Sequence, residues 1–182
     1  SKFKKKFDQI ILFDYGHGFI SEKIAKKINR LSKSIALNAQ LNAANLGLHT
    51  INNYQNIETV VINEMELRLE MRDRYSGIKT LLKKLSAKLN IKNLIVTRGN
   101  NGSILYSKED NKYINCPAFA GKIVDKIGAG DAMISIVSLA LSSKINKKIA
   151  LLMGSLAAAQ SVESIGNSKK VDKTLMLKVI DN

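Results

Sequence analysis

Two glycines one residue apart, followed at once by an acidic side chain, form Gly128-Ala129-Gly130-Asp131, the segment of this chain with the clearest chemistry. It runs directly into the apolar stretch Ala132-Met133-Ile134, so it opens a helix. Glycines let the backbone turn tightly and present successive N–H groups, and a helix N-terminus adds partial positive charge. The segment can therefore hold an anion with Asp131 pointed at it. The same four residues also make an ordinary helix start, since Asp is favoured in a first turn, and the tetrapeptide alone leaves both readings open. It is not a dinucleotide fingerprint, because Met133 stands where a third glycine is required and no strand immediately precedes it. No Gly-x4-Gly-Lys-Ser/Thr phosphate loop occurs.

The elements around this segment alternate between strand and helix patterns. Residues 9–13 are an apolar run ending at Asp14 and the Gly16-His17-Gly18 turn, which predicts a buried strand and a loop. Ser21 is placed to cap a helix with Ile24, Ile28 and Leu31 on one face. Strands are predicted over 34–38, 59–62 and 93–97, with an amphipathic helix over 78–89 that turns Leu81, Leu82 and Leu85 inward. Gly99-Asn100-Asn101-Gly102 supplies turn chemistry into a strand over 103–107, with 112–115 beside it. Helices follow over 130–142 and 146–164. The pattern implies an α/β fold with a mainly parallel sheet. Ligands of such sheets sit at the carboxyl ends of the strands, so the turns at Asp14, Asn63 and Arg98 are the places to look.

Composition narrows the class. The 182 residues are 45% hydrophobic and 24% charged, with 11 Gly, one Pro and one Cys, which fits an ordinary packed domain and excludes disordered, collagen-like and disulfide-rich chains. No repeat or linker divides it, so residues 1–182 read as one unit. Cys116 is the only cysteine, no signal peptide is evident, and no apolar run reaches membrane-spanning length; a cytoplasmic setting without membrane contact is expected. The net charge of +14 comes mostly from lysines, with arginine only at 30, 68, 72, 74 and 98. Aromatics are 5% of the chain and scattered, whereas nucleic-acid binders concentrate cations and interleave aromatics. No nucleic-acid partner is expected, although a basic field helps attract a phosphorylated substrate.

Taken together, four motifs resemble the PfkB, or ribokinase-like, carbohydrate kinases. Asp125-Lys126-Ile127-Gly128-Ala129-Gly130-Asp131 is similar to that family's signature, and Asn63-Glu64-Met65-Glu66 to its Asn-x-x-Glu motif. Thr97-Arg98-Gly99, continuing to Gly102, resembles its Thr-x-Gly turn, and the Ala-rich stretch from Gly154 to Gly166 its late helix. Asp14-Tyr15-Gly16-His17-Gly18 further resembles the loop of the heptose-phosphate kinase branch, a type often fused to a nucleotidylyltransferase.

The resemblance implies a three-layer α/β/α fold and ATP-dependent phosphoryl transfer to a sugar or sugar-phosphate hydroxyl. Gly128, Ala129 and Gly130 would form the anion hole and Asp131 the proton acceptor. Asn63 and Glu66 would hold Mg²⁺ through water, unless they are simply a surface helix start. Thr97, Gly99, Gly102, Lys126 and Ser155 would serve the nucleotide, and Asp14 and His17 the substrate. Asp125, with the carbonyls near Ile165 and Gly166, resembles a monovalent-cation site.

Lys126 stands where relatives often carry a small or hydroxylated residue, and His17 where the heptose-kinase-like loop has lysine. The Asn-rich stretch from Asn38 to Asn45 either contacts substrate or caps turns. Family members run to about 300 residues, so the resemblance implies the nucleotide-side part of a larger kinase polypeptide, lacking the N-terminal half and lid and expected to be inactive alone. An inactive nucleotide-binding or regulatory remnant is the alternative.

Overall fold

A computed structural model describes residues 7–28, 34–40, 51–121, 124–125, 127–163 and 171–180. Six strands form one sheet in chain order: β1 (Ile10–Asp14), β2 (Ile35–Ala39), β3 (Thr59–Asn63), β4 (Asn93–Thr97), β5 (Ser103–Ser107) and β6 (Lys112–Cys116). The first four run parallel, and β5 and β6 return antiparallel. Among the described residues the α-helices are α1 (Glu22–Ile28), α2 (Glu64–Met71), α3 (Ile78–Leu89), α4 (Ala129–Ser142), α5 (Lys147–Val162) and α6 (Lys173–Ile180).

Successive residues of the central strands feed opposite cores, as expected of a sheet covered on both faces. Leu37, Val60, Ile62, Leu94 and Val96 pack with Leu67 of α2 and the inward leucines of α3. Ala36, Val61, Ile95 and Leu105 pack with Met133, Ile134 and Val137 of α4 and Ala150 and Leu151 of α5. The result is the three-layer α/β/α architecture. Leu81, Leu82 and Leu85 are fully buried, as their spacing predicts; each such side chain contributes about 1.5–3 kcal/mol.

Local chemistry fixes the element ends. The α3 helix stops at Asn90, whose left-handed backbone (φ 53°) lets its N–H return to Ser86 O. At Gly154 the α5 helix crosses α4 so closely that an added Cβ would lie 3.0 Å from Val137 Cβ. Ser21 caps α1, accepting from Ile24 N at 3.4 Å. Of the face expected over Ile24, Ile28 and Leu31, Ile28 packs against the core, whereas Ile24 is 42% exposed and Ala25 is the buried residue of that helix. Leu31 lies outside the described residues. Neither α2 nor α6 is predicted from the apolar pattern; α2 is held by its caps, and α6 packs against α5. Among the described residues no helix is long and apolar enough to cross a membrane.

Candidate active site

Because β1 to β4 are parallel, their carboxyl ends fall on one rim, and this rim collects Asp14, Gln40, Asn63 and Thr97. Asn63 is the register partner of Thr97, and Gln40 N donates to Asp14 O at 2.8 Å.

Asp131 reaches the same rim from above. Gly128 is the N-cap of α4 with φ 83°, a left-handed conformation that suits glycine, and no side chain caps the helix. The first intrahelical bond runs from Ala132 N to Gly128 O at 2.9 Å. The preceding amides are thus left for another partner, and the helix pole adds positive potential there. Asp131 Oδ1 accepts from Asn38 Nδ2 at 3.0 Å and from Gln40 Nε2 at 2.9 Å, while Tyr15 donates its hydroxyl to Oδ2 at 2.8 Å. Gly130 makes this possible, since a Cβ there would lie 2.7 Å from Asn38 Nδ2. The bond to the carboxylate pushes the Tyr15 phenol above its ordinary pKa. The side-chain amide at Asn38 is almost wholly buried inside an otherwise apolar strand, so its donor spends the cost of desolvation on orienting one carboxylate.

Asn63 and Glu66 open α2 as a capping box. Asn63 Oδ1 accepts from Glu66 N at 2.8 Å, and Glu66 Oε2 accepts from Asn63 N at 2.7 Å. The helix-start reading of this motif is therefore correct, and it leaves the pair at the rim with oxygen donors. Such a set suits a hydrated Mg²⁺, which keeps several waters. Among the described residues no group of three or more His, Cys, Asp or Glu forms a ready cage for a metal. Beside it Glu64 binds Arg98 Nε at 2.9 Å and Arg68 at 2.7 Å. The Arg98 guanidinium, helped by Arg68, holds the Glu64 carboxyl below the usual carboxylate range.

The remaining residues named from the sequence divide by their surroundings. Asp14 is buried, accepting from Tyr54 Oη at 2.5 Å and Gly16 N at 3.0 Å, so it shapes the loop that carries Tyr15. His17 is exposed in that loop. Gly99 (φ 55°) and Gly102 (φ 72°) build the β4–β5 turn next to Thr97, and an added Cβ at Gly102 would meet Cys116 O. Ser155 is buried and shares a hydrogen bond with Ser103 at 2.9 Å, which makes it a packing contact between α5 and the sheet. Asp125 Oδ1 accepts from Ile127 N at 2.9 Å, forming the turn that leads into Gly128. Lys126, Ile165, Gly166 and residues 41–50 lie outside the described residues.

Tyr15 and Tyr54 are candidate site residues to which the sequence reading gives no role, and Asn38 and Gln40 both fall in the stretch it leaves open. Asn38 carries a further local signal, as an amide inside the strand sequence Ile-Ala-Leu-Asn-Ala.

The pfkB family carbohydrate kinase profile matches residues 20–174. The chain belongs to that family. Among curated relatives, the bifunctional protein HldE of Campylobacter curvus (strain 525.92) is 29% identical over 168 residues, covering 90% of this chain and 34% of the relative. The HldE of Helicobacter acinonychis (strain Sheeba) is 29% identical over 167 residues, covering 90% and 35%. This pfkB chain thus spans about a third of the length of those relatives. Its fold matches ribokinase from Thermotoga maritima with a TM-score of 0.78 at 23% identity, over 100% of this chain and 59% of that one. Arabidopsis thaliana ribokinase, solved with ribose and ATP, gives 0.76 at 21% identity, over 96% and 56%. The ribokinase-like expectation for the fold holds.

Proposed function

We infer that the polypeptide carrying this chain transfers the γ-phosphoryl group of ATP to a hydroxyl of a sugar phosphate, with a heptose phosphate as the substrate class. The observation that carries this reading is Asp131 at the uncapped N-terminus of α4, oriented by three donors. The substrate hydroxyl oxygen attacks the γ-phosphorus, the bond from that phosphorus to the bridging oxygen of ADP breaks, and the hydroxyl proton passes to Asp131. Asn38 and Gln40 hold Oδ1, so Oδ2 is the oxygen that takes the proton, with Tyr15 yielding its place to the substrate hydroxyl. The amides at the start of α4 receive the charge of the transferring group, which in a loose transition state is served mainly by positioning.

Asn63 and Glu66 are the residues that would hold Mg²⁺ through water, and the ion would neutralise phosphate charge. Thr97, Gly99, Gly102 and Lys126 belong to the nucleotide side of the rim, with Ser155 supporting that wall by packing. Asp14 and His17 belong to the substrate side, and Asp125 is retained as a monovalent-cation ligand. Residues 1–182 make the nucleotide-side part of one kinase domain, and the HldE relatives support a heptose phosphate as the acceptor.

The experiment is a coupled ADP-release assay on the full-length protein over a panel of sugars and sugar phosphates. Turnover on a heptose phosphate supports the reading. Turnover confined to an unrelated sugar overturns the substrate class, and nucleotide binding without turnover on any acceptor favours the inactive remnant.

A further inference from the structure

Tyr15 stands on the carboxylate oxygen to which the proposed reaction sends its proton. Its hydroxyl donates to Asp131 Oδ2 at 2.8 Å, while Oδ1 already accepts from Asn38 at 3.0 Å and from Gln40 at 2.9 Å. A carboxylate offers about four acceptor positions, so these donors leave little of it open. The hydroxyl comes from the β1–α1 loop, whose neighbouring residues Asp14 and His17 belong to the substrate side. An acceptor hydroxyl that is to give its proton to Oδ2 therefore competes there with Tyr15.

The contact is built into the loop. Asp14, only 4% exposed, fixes the chain immediately before Tyr15. Its Oδ1 accepts from Gly16 N at 3.0 Å, its Oδ2 from Tyr54 Oη at 2.5 Å and its carbonyl from Gln40 N at 2.8 Å. Gly16 then turns the chain away with φ 68°, in the left-handed region. The backbone on both sides of Tyr15 is thus set by groups other than Asp131, and the phenol is delivered to the carboxylate.

A sugar and a water differ in their means of displacing that phenol. Its bond to a charged group is stronger than a neutral one. A sugar phosphate is held by its phosphate and its other hydroxyls, and this remote binding energy can offset the lost bond, whereas water has no remote group to hold it. We propose that Tyr15 is a specificity-determining residue that selects the sugar hydroxyl over water, by holding Asp131 Oδ2 until a bound acceptor displaces it. The proposal rests on Asp131 being the proton acceptor. The reaction held back is hydrolysis. A water oxygen attacks the γ-phosphorus, the bond from that phosphorus to the bridging oxygen of ADP breaks, and a water proton passes to Asp131, giving ADP and inorganic phosphate.

The test is ADP release by the full-length protein with Mg·ATP, without acceptor and then with its best acceptor, beside direct measurement of the phosphorylated sugar. Tyr15→Phe keeps the ring and removes the donor to Oδ2. Its acceptor-free ADP release should exceed the parent's by about tenfold or more. With acceptor it should release more ADP than it forms sugar phosphate, where the parent forms the two in equal amounts. Adding Asp131→Asn to Tyr15→Phe should return acceptor-free release to the parent's level. Acceptor-free release by Tyr15→Phe equal to the parent's overturns the proposal, as does a rise that survives Asp131→Asn. Asp131→Asn alone separates the two claims. Parent-like sugar phosphorylation by that variant overturns the proton acceptor and the proposal together, whereas lost phosphorylation with no added hydrolysis in Tyr15→Phe overturns only the role of Tyr15.

Discussion

Asn38 and Asp131 lie 93 residues apart in sequence, and the amide of one donates to the carboxylate of the other across 3.0 Å. A central strand and a helix N-terminus are thereby joined through one side-chain contact. Gly130 permits the approach and Gln40 repeats the donation from the end of the same strand. Asn38 is accordingly a positioning residue for the proposed proton acceptor.

Asn38→Ala should remove one of the two donors to Oδ1. A buried hydrogen bond to a charged group is worth about 1.5–3 kcal/mol, so kcat should fall roughly tenfold to a hundredfold while the KM for ATP holds. Steady-state kinetics of the full-length protein check this split; a rise in the KM for ATP with unchanged kcat would assign Asn38 to nucleotide binding instead.

Tyr15 offers a spectroscopic test of the same contact. Its phenol is raised by the hydrogen bond to Asp131, then by burial and by the nearby negative charge. Asp131→Asn removes that charge, so the Tyr15 midpoint should shift to lower pH. Tyrosine ring carbon NMR, assigned with Tyr15→Phe, measures it, and an unmoved midpoint would show that the two groups do not meet in solution.

The parts of this arrangement that were legible in the sequence are those set by local periodicity and turn chemistry. Leucines at 81, 82 and 85 specify the inner face of α3, and Asn63 with Glu66 is a capping-box spacing. Gly128-Ala129-Gly130-Asp131 marks the start of α4 because tight turning and capping are decided within a few residues. The donors around Asp131 are different. Tyr15, Asn38 and Gln40 meet it only through the stacking of β1, β2 and α4, and no spacing along the chain encodes that meeting. The exposure of Ile24, expected on the same face as Ile28, has a similar cause: a short helix shows too few turns for its apolar side to be read, and packing buries Ala25.

Glu66→Gln separates the cap from the proposed metal role. Glutamine still accepts from Asn63 N, so the capping box and the Tm should be nearly unchanged. Loss of the charge should raise the Mg²⁺ concentration needed for half-maximal turnover several-fold. A large fall in Tm with an unaltered Mg²⁺ requirement would leave Glu66 with a capping role alone.

Glu64 predicts an acid-sensitive contribution to stability. Its folded pKa is depressed chiefly by Arg98, so the stabilisation is fully present above the unfolded value of about 4.3 and is lost as pH falls through the folded value. Glu64→Gln should lower the Tm at pH 7 and have less effect at pH 3. The pairs are partly exposed, with Arg98 at 28% and Glu64 at 26%, so the loss at neutral pH should be on the order of 1 kcal/mol. Thermal melts of both proteins at the two pH values measure it.

The most direct measurement is turnover of full-length Asp131→Asn beside the parent on the best acceptor, with Mg·ATP affinity measured on both. Asparagine preserves size and the start of α4 but cannot take the hydroxyl proton. The expected result is a fall in kcat of about 10² to 10⁴ with nucleotide affinity within a few-fold of the parent. Turnover equal to the parent would contradict the assignment of Asp131 as the proton acceptor.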